Sequence, residues 1–142
     1  SAAAQKANAV VHVGGTYICI EGPQFSTKAE SNLYRQWGVD VIGMTNATEA
    51  KLAREAGMCY ATLALITDYD CWKEEEEPVS LDAVLEIMHK NVELAQKVLR
   101  ELSPSLKGER GCSCGNASQN AVITDSKKIP AQLKNELSIL FG

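Results

Sequence analysis

No apolar run in these 142 residues approaches the roughly 20 needed to cross a bilayer, which excludes a helical membrane span. A basic excess is also missing. Fourteen Lys and Arg stand against 18 Asp and Glu, and the net charge of −4 argues against a surface for nucleic acid, whose phosphates demand cations. The opening "SAAAQKANAV" has neither the cationic start nor the apolar core of a signal peptide, and no initiator methionine precedes it. Five cysteines, an odd number, do not make a secreted disulfide framework. Histidines number only two, His12 and His89. No internal repeat is visible. These absences leave a cytoplasmic globular protein of ordinary composition, 45% hydrophobic and 23% charged, long enough for one domain with a core. Residues 1–142 are read as that domain, with 1–14 a segment left at a cleavage or cloning boundary and 105–142 a loop and terminal helix.

What is present is an alternation of strand and helix signals. "TYICI" (Thr16–Ile20) is β-branched and aromatic between glycines and reads as a strand. Thr27 and Glu30 have capping-box spacing and open a helix that reaches Trp37 and stops at Gly38. "VDVIGM" (Val39–Met44) reads as a second strand. Asn46 and Glu49 repeat the cap spacing ahead of a helix ended by Gly57. "CYATLALIT" (Cys59–Thr67), apolar on both faces, reads as a central third strand covered by helices on each side. A long helix follows with Ser80 as its N-cap. Leu81, Val84, Leu85, Met88, Val92, Ala95, Leu99 and Leu102 form its apolar stripe, and Ser103-Pro104 closes it. A last helix spans Pro130 to Phe141. The order predicts an α/β fold on a mainly parallel sheet.

Ligands of open α/β sheets bind beyond the carboxyl ends of the strands. "EGPQFST", "MTN" and "TDYD" all fall on that rim. Thr67, Asp68 and Asp70 pose the sharpest question there, because a carboxylate ending an apolar run needs a partner. A metal site would want imidazoles or further carboxylates. Neither histidine lies on the rim, and the run Glu74–Glu77 reads as a solvated face. Turn capping is the plain alternative. Recognition of a heterocycle is the third: a carboxylate accepts from an exocyclic amine, Phe25 can stack on a flat base, and Met44 can lie against a sugar. Cys112 and Cys114 make a Cys-Ser-Cys without a second pair, so a four-cysteine zinc site cannot be closed. A disulfide across two residues would be strained.

"TYICIEGPQFSTKAES", "GVDVIGMTNATEAKLAREAG" and "CYATLALITDYDCW" resemble consecutive blocks of the 5′-methylthioadenosine phosphorylases, within the trimeric purine nucleoside phosphorylase family. The likeness runs from about Gly15 to Leu102 and covers the family's C-terminal half. It implies a phosphorylase-type mixed, largely parallel sheet flanked by helices, and phosphorolysis of a purine nucleoside. No cofactor is implied, phosphate being a co-substrate. By position, Phe25 resembles the residue stacked on the purine, and Ser26 stands where users of 6-oxopurines have glutamate. Met44 matches the residue against the ribose and Thr45 a hydroxyl that holds phosphate. Asp68 matches the group at N7 and acts in catalysis, with Thr67 beside it, and Asp70 matches the acceptor of the 6-amino group. Leu81 and Val84 match the lining of the pocket for the 5′ substituent. The implied partners are a purine nucleoside, phosphate, and further copies in a trimer or dimer of trimers. There is no Arg-His dipeptide for phosphate, and Arg35, Arg54, Arg100 and Arg110 read as helix or loop surface. A separate N-terminal chain is therefore one reading of how the site is completed. An ordinary purine nucleoside phosphorylase and a fragment without turnover are the alternatives.

Overall fold

The computed structural model describes residues 1–72, 81–106 and 108–141, leaving aside the side chains of Leu81, Ala83, Val84 and Phe141. The proposed Ser80 cap and the Glu74–Glu77 run lie outside the described residues. The chain resolves into two compact units.

The first unit comprises Ser1–Met44 with Leu63–Gly108. Its sheet pairs β1 (Tyr17–Cys19) with β2 (Val41–Gly43) in parallel, Ile18 opposite Ile42. Both strands are shorter than their sequence signals. The ladder is lengthened by bonds from Ile20 N–H to Gly43 O and from Asp40 and Val41 N–H to Thr16 O. A parallel pair needs a crossover, and α2 (Lys28–Gln36) supplies it. Its start is locally specified. Thr27 accepts from the Glu30 amide, and the Glu30 carboxylate accepts from the Thr27 amide at 2.7 Å. That reciprocal capping box is the one the spacing predicts. Gly38, at φ +75°, takes the left-handed turn after the helix.

A helix α1 (Ala2–Lys6), without a sequence signal, precedes this sheet and packs on α4 (Leu81–Leu102). The packing corrects the expected stripe. Leu85, Met88, Val92 and Leu99 are exposed, and the inward face carries Asn91, Leu94, Ala95 and Val98, the last only 7% exposed. Those four also fall at helical spacing. Two faces of α4 are apolar enough to be buried, and within this unit the narrower one is turned inward, as is Ala4 of α1. Asn91 also donates to the Ile66 carbonyl at 2.8 Å. The helix ends at Leu102 and runs into a 3-10 turn, Ser103–Leu106, at the Ser-Pro expected to close it.

Cys59–Thr67 is not a strand. Among the described residues it has no ladder partner, and Leu63, Leu65 and Ile66 are exposed, Ile66 by 54%. β structure requires a neighbour to satisfy its amides; apolar composition alone does not make one.

The second unit comprises Thr45–Thr62 with Glu109–Gly142. Its main element is α3 (Asn46–Glu55). Asn46 is not the cap: Thr45 occupies that place without a side-chain capping bond. Asn46 sits inside the first turn, where its Oδ1 accepts from the Tyr60 and Thr62 hydroxyls at 2.8 and 2.6 Å. Two long-range donors have taken the oxygen that a cap would have used. The expected last helix is two, α5 (Ala131–Glu136) and α6 (Ser138–Phe141), interrupted at Leu137.

Candidate functional site

The ends of β1 and β2 meet in the first unit. Gly22, at φ +72°, has Met44 against it so closely that a Cβ would stand 2.7 Å from the Met44 sulfur. The glycine therefore lets the loop after β1 lie on the side chain that follows β2. Beyond it, Phe25 is 84% exposed and offers an open ring face. With Ser26 it borders a cavity of about 400 Å³ whose walls include Ile18, Ile20, Tyr34 and Trp37. Asp68, Asp70 and Met44 are not among the residues lining that cavity.

The third rim segment joins the first through a buried serine. Ser31 is 2% exposed, the most buried side chain described, and its hydroxyl donates to Asp70 Oδ2. Ser26 Oγ lies 3.0 Å from Ser31 Oγ and 3.5 Å from the same carboxylate oxygen. The other oxygen, Oδ1, accepts from the Cys71 amide at 2.8 Å. The Cys71 sulfur lies 3.4 Å from Ser31 Oγ. Ser31 was not predicted from sequence. A serine in the first turns of a helix is unremarkable as a pattern, and only the fold aims it inward.

Asp68 and Asp70 do not leave an extended strand on one face. The chain turns at Asp70, which adopts φ +62°, and enters the 3-10 turn Asp70–Trp72. Asp68 Oδ1 accepts from the Asp70 amide at 2.8 Å, an Asx turn, while Oδ2 accepts from the Thr67 hydroxyl at 2.7 Å. A non-glycine residue at positive φ is costly unless its surroundings hold it. Here the Asp68 carboxylate and the Ser31 hydroxyl do so. Arg35 adds a further clamp, its guanidinium 3.9 Å from the centre of the Trp72 ring, so this arginine is more than plain helix surface. The turn reading and the ligand reading are compatible. A carboxylate has about four lone-pair sites, and the Asp70 bonds leave room for one more donor.

Thr45, in the second unit, is exposed at the head of α3, where its carbonyl accepts from the Glu49 amide at 3.2 Å. Leu81 and Val84 fall in the first turn of α4; their side chains lie outside the described residues.

The phosphorylase superfamily profile matches residues 1–103. The chain belongs to the phosphorylase superfamily. An S-methyl-5′-thioadenosine phosphorylase of Geobacter sulfurreducens is 55% identical over 141 residues, covering 99% of this chain and 49% of the relative. One from Koribacter versatilis is 52% identical over 140 residues, covering 99% and 48%. Among solved structures, a methylthioadenosine phosphorylase from an antarctic soil metagenomic library superposes with a TM-score of 0.87 at 42% identity, over 99% of this chain and 50% of that one. The Schistosoma mansoni methylthioadenosine phosphorylase in complex with adenine gives 0.64 at 42% identity, over 72% and 36%. The fold is thus the α/β phosphorylase type with a parallel sheet and flanking helices. The chain spans about half the length of the curated relatives it matches.

Proposed function

We propose that the full-length protein cleaves 5′-methylthioadenosine with phosphate, giving adenine and 5-methylthioribose 1-phosphate. This chain would carry the purine and 5′-substituent side of the site. The observation that carries the reading is Asp70, held by Ser31, Ser26 and the Cys71 amide with room for one more donor, in a chain 55% identical to a methylthioadenosine phosphorylase. A 6-amino group is a donor and finds an acceptor there. A 6-oxo group would set oxygen against oxygen and stay unpaired, at a cost of about 1–3 kcal/mol. That disfavours an ordinary 6-oxopurine nucleoside phosphorylase.

The chemistry follows from where charge develops. Breaking the bond between N9 and the anomeric carbon leaves electron density on the purine and positive character on the sugar. Asp68 at N7, positioned by Thr67 and the Asp70 amide, donates or shares a proton and improves the leaving group. Phe25 stacks on the purine, with Ser26 behind it, and Met44 lies against the ribose. Thr45 helps hold the attacking phosphate, and Leu81 and Val84 line the place of the methylthio group. Phosphate is the co-substrate, and neither a metal nor an organic cofactor takes part in this scheme. The same proposal makes it a trimeric enzyme of purine and methionine salvage in the cytoplasm. No described helix is long and apolar enough to cross a membrane.

The test compares phosphorolysis of methylthioadenosine and methylthioinosine by the full-length protein, with Asp70→Asn and Asp68→Asn variants. Asp70→Asn should narrow the preference for the amino substrate by about ten- to several-hundred-fold, at 1.4 kcal/mol per decade. Asp68→Asn should lower kcat more than it changes that preference. A preference that neither Asp70→Asn nor Asp68→Asn narrows would leave both aspartates as turn residues alone.

A further inference from the structure

The second unit brings together three thiols that the sequence separates. Cys59 follows α3, and Cys112 and Cys114 lie more than fifty residues later, yet their sulfurs all fall within 4.8 Å of one another. Cys59 and Cys112 are 3.3 Å apart, and all three are free thiols. Three sulfurs on a tetrahedral zinc, with bonds of about 2.3 Å, stand about 3.8 Å apart. The Cys59–Cys112 spacing is about half an ångström short of that value and no pair exceeds it by more than about 1 Å, so small side-chain rotations suffice.

The cluster is held by its surroundings. The end of α3 and the turn just after it leave carbonyls without helical partners, and the tail supplies donors to them. Arg110 Nη1 donates to Gly57 O at 2.7 Å, and Ser118 Oγ to Glu55 O at 2.6 Å. Gly57, at φ +63°, approaches Gly115 so nearly that a Cβ on it would meet the Gly115 carbonyl at 3.2 Å. Together these pin the Cys112–Cys114 loop onto the chain leading to Cys59. Cys59 and Cys112 are exposed and Cys114 is half-buried, which leaves an entry path and an open fourth position.

We propose that Cys59, Cys112 and Cys114 form a three-thiolate site for a soft divalent cation, zinc, with solvent as the fourth ligand. Thiolates select soft metals over magnesium or calcium. Three thiolates around a divalent ion leave one net negative charge, and Arg110, bound beside the loop, opposes it. This chemistry is independent of the nucleoside site and does not rest on the reading given for it.

The test titrates the reduced, purified chain with zinc against a chromophoric chelator, with cobalt as a spectroscopic probe of thiolate coordination. One zinc should bind per chain and displace protons from the thiols as it does so. Cys112→Ser should weaken binding by more than the ~10–100-fold that loss of an outer-shell partner costs. Cys19→Ser should bind as the parent does. A second measurement requires no variant. In mass spectrometry after alkylation, zinc should protect Cys59, Cys112 and Cys114 and leave the exposed Cys71 as reactive as before. The proposal is overturned by any of three results: no stoichiometric zinc uptake, binding that survives Cys112→Ser, or equal labelling with and without zinc.

Discussion

Thr27–Gln36 and Cys59–Thr67 are equally legible as sequence, yet only the first becomes the element it announces. The helix α2 forms because what it needs is within three residues: a threonine hydroxyl, a glutamate carboxylate and their own amides. The apolar stretch carries a strand composition as clear as any in the chain, but its partners are not local. Among the described residues no strand lies beside it, and Leu63, Leu65 and Ile66 remain exposed. Unpaired amides and bare apolar side chains make such a segment a template for pairing. Capping instructions are complete in themselves, whereas a strand's composition is half an instruction.

The largest effect that could break this contrast is catalytic. If the missing partners of Cys59–Thr67 and the phosphate-binding groups come from the rest of a full-length protein, this chain alone should turn over methylthioadenosine far below about 1 s⁻¹, the low end of common enzyme rates. A phosphorolysis assay at saturating phosphate measures it, and ordinary turnover would show that the rim is complete as it stands.

Leu65→Ala sharpens the same point through stability. In this chain Leu65 is exposed, and truncation should move the unfolding free energy by no more than about 0.5 kcal/mol. In the full-length protein, with the segment paired and covered, the same change should cost about 2–5 kcal/mol. Urea unfolding of both forms gives the two numbers, and equal small losses would mean that the segment is a surface loop throughout.

Ser31→Ala tests the link between the locally specified helix and the turn at Asp70. It removes a buried hydroxyl from a carboxylate and should destabilise the first unit by about 1–3 kcal/mol. Because Ser31 places Asp70, the preference for an amino over an oxo substrate should fall with it in the full-length protein. A stable variant with unchanged preference would reduce Ser31 to packing.

Thr27→Ala should cost about 1 kcal/mol, the usual worth of an N-cap. It should also alter the response to acid. The Thr27 amide, and then its hydroxyl, hold the Glu30 carboxyl below the ordinary glutamate range. A group whose folded value is depressed stabilises the fold above its unfolded value, and that stabilisation disappears as pH falls through the folded value. Urea midpoints on either side of the glutamate range should therefore differ less in Thr27→Ala than in the parent. The difference is small because the pair is exposed and screened.

The thiol cluster offers a different contrast with the rim. Cys112 sits below its usual range because the Cys114 amide, then the Cys59 and Cys114 thiols, donate to it, with Arg110 nearby. Cys59 is pushed up, chiefly by the same bond to Cys112. The rim holds Asp70 through hydroxyls that the fold brings from 39 and 44 residues away, whereas the tail gathers thiols across 53.

The sequence by itself determined what short-range chemistry can enforce: the capping box at Thr27 and Glu30, the left-handed stop at Gly38, and the parallel order of β1 and β2 with Phe25, Ser26 and Met44 just beyond their ends. It also carried the family likeness. Tertiary structure alone decided the rest. It turned Ser31 inward to hold Asp70, set Asn91, Leu94 and Val98 of α4 inward beside Ala95 while leaving Leu85, Met88, Val92 and Leu99 exposed, and committed Asn46 to Tyr60 and Thr62. It gathered Cys59 with Cys112 and Cys114, and among the described residues it gives Cys59–Thr67 no strand partner. Caps and turns are satisfied by atoms a few bonds away, so their residues suffice to specify them. Which apolar face is buried, which polar group finds a partner and which strand finds a neighbour depend on what the rest of the protein brings against them.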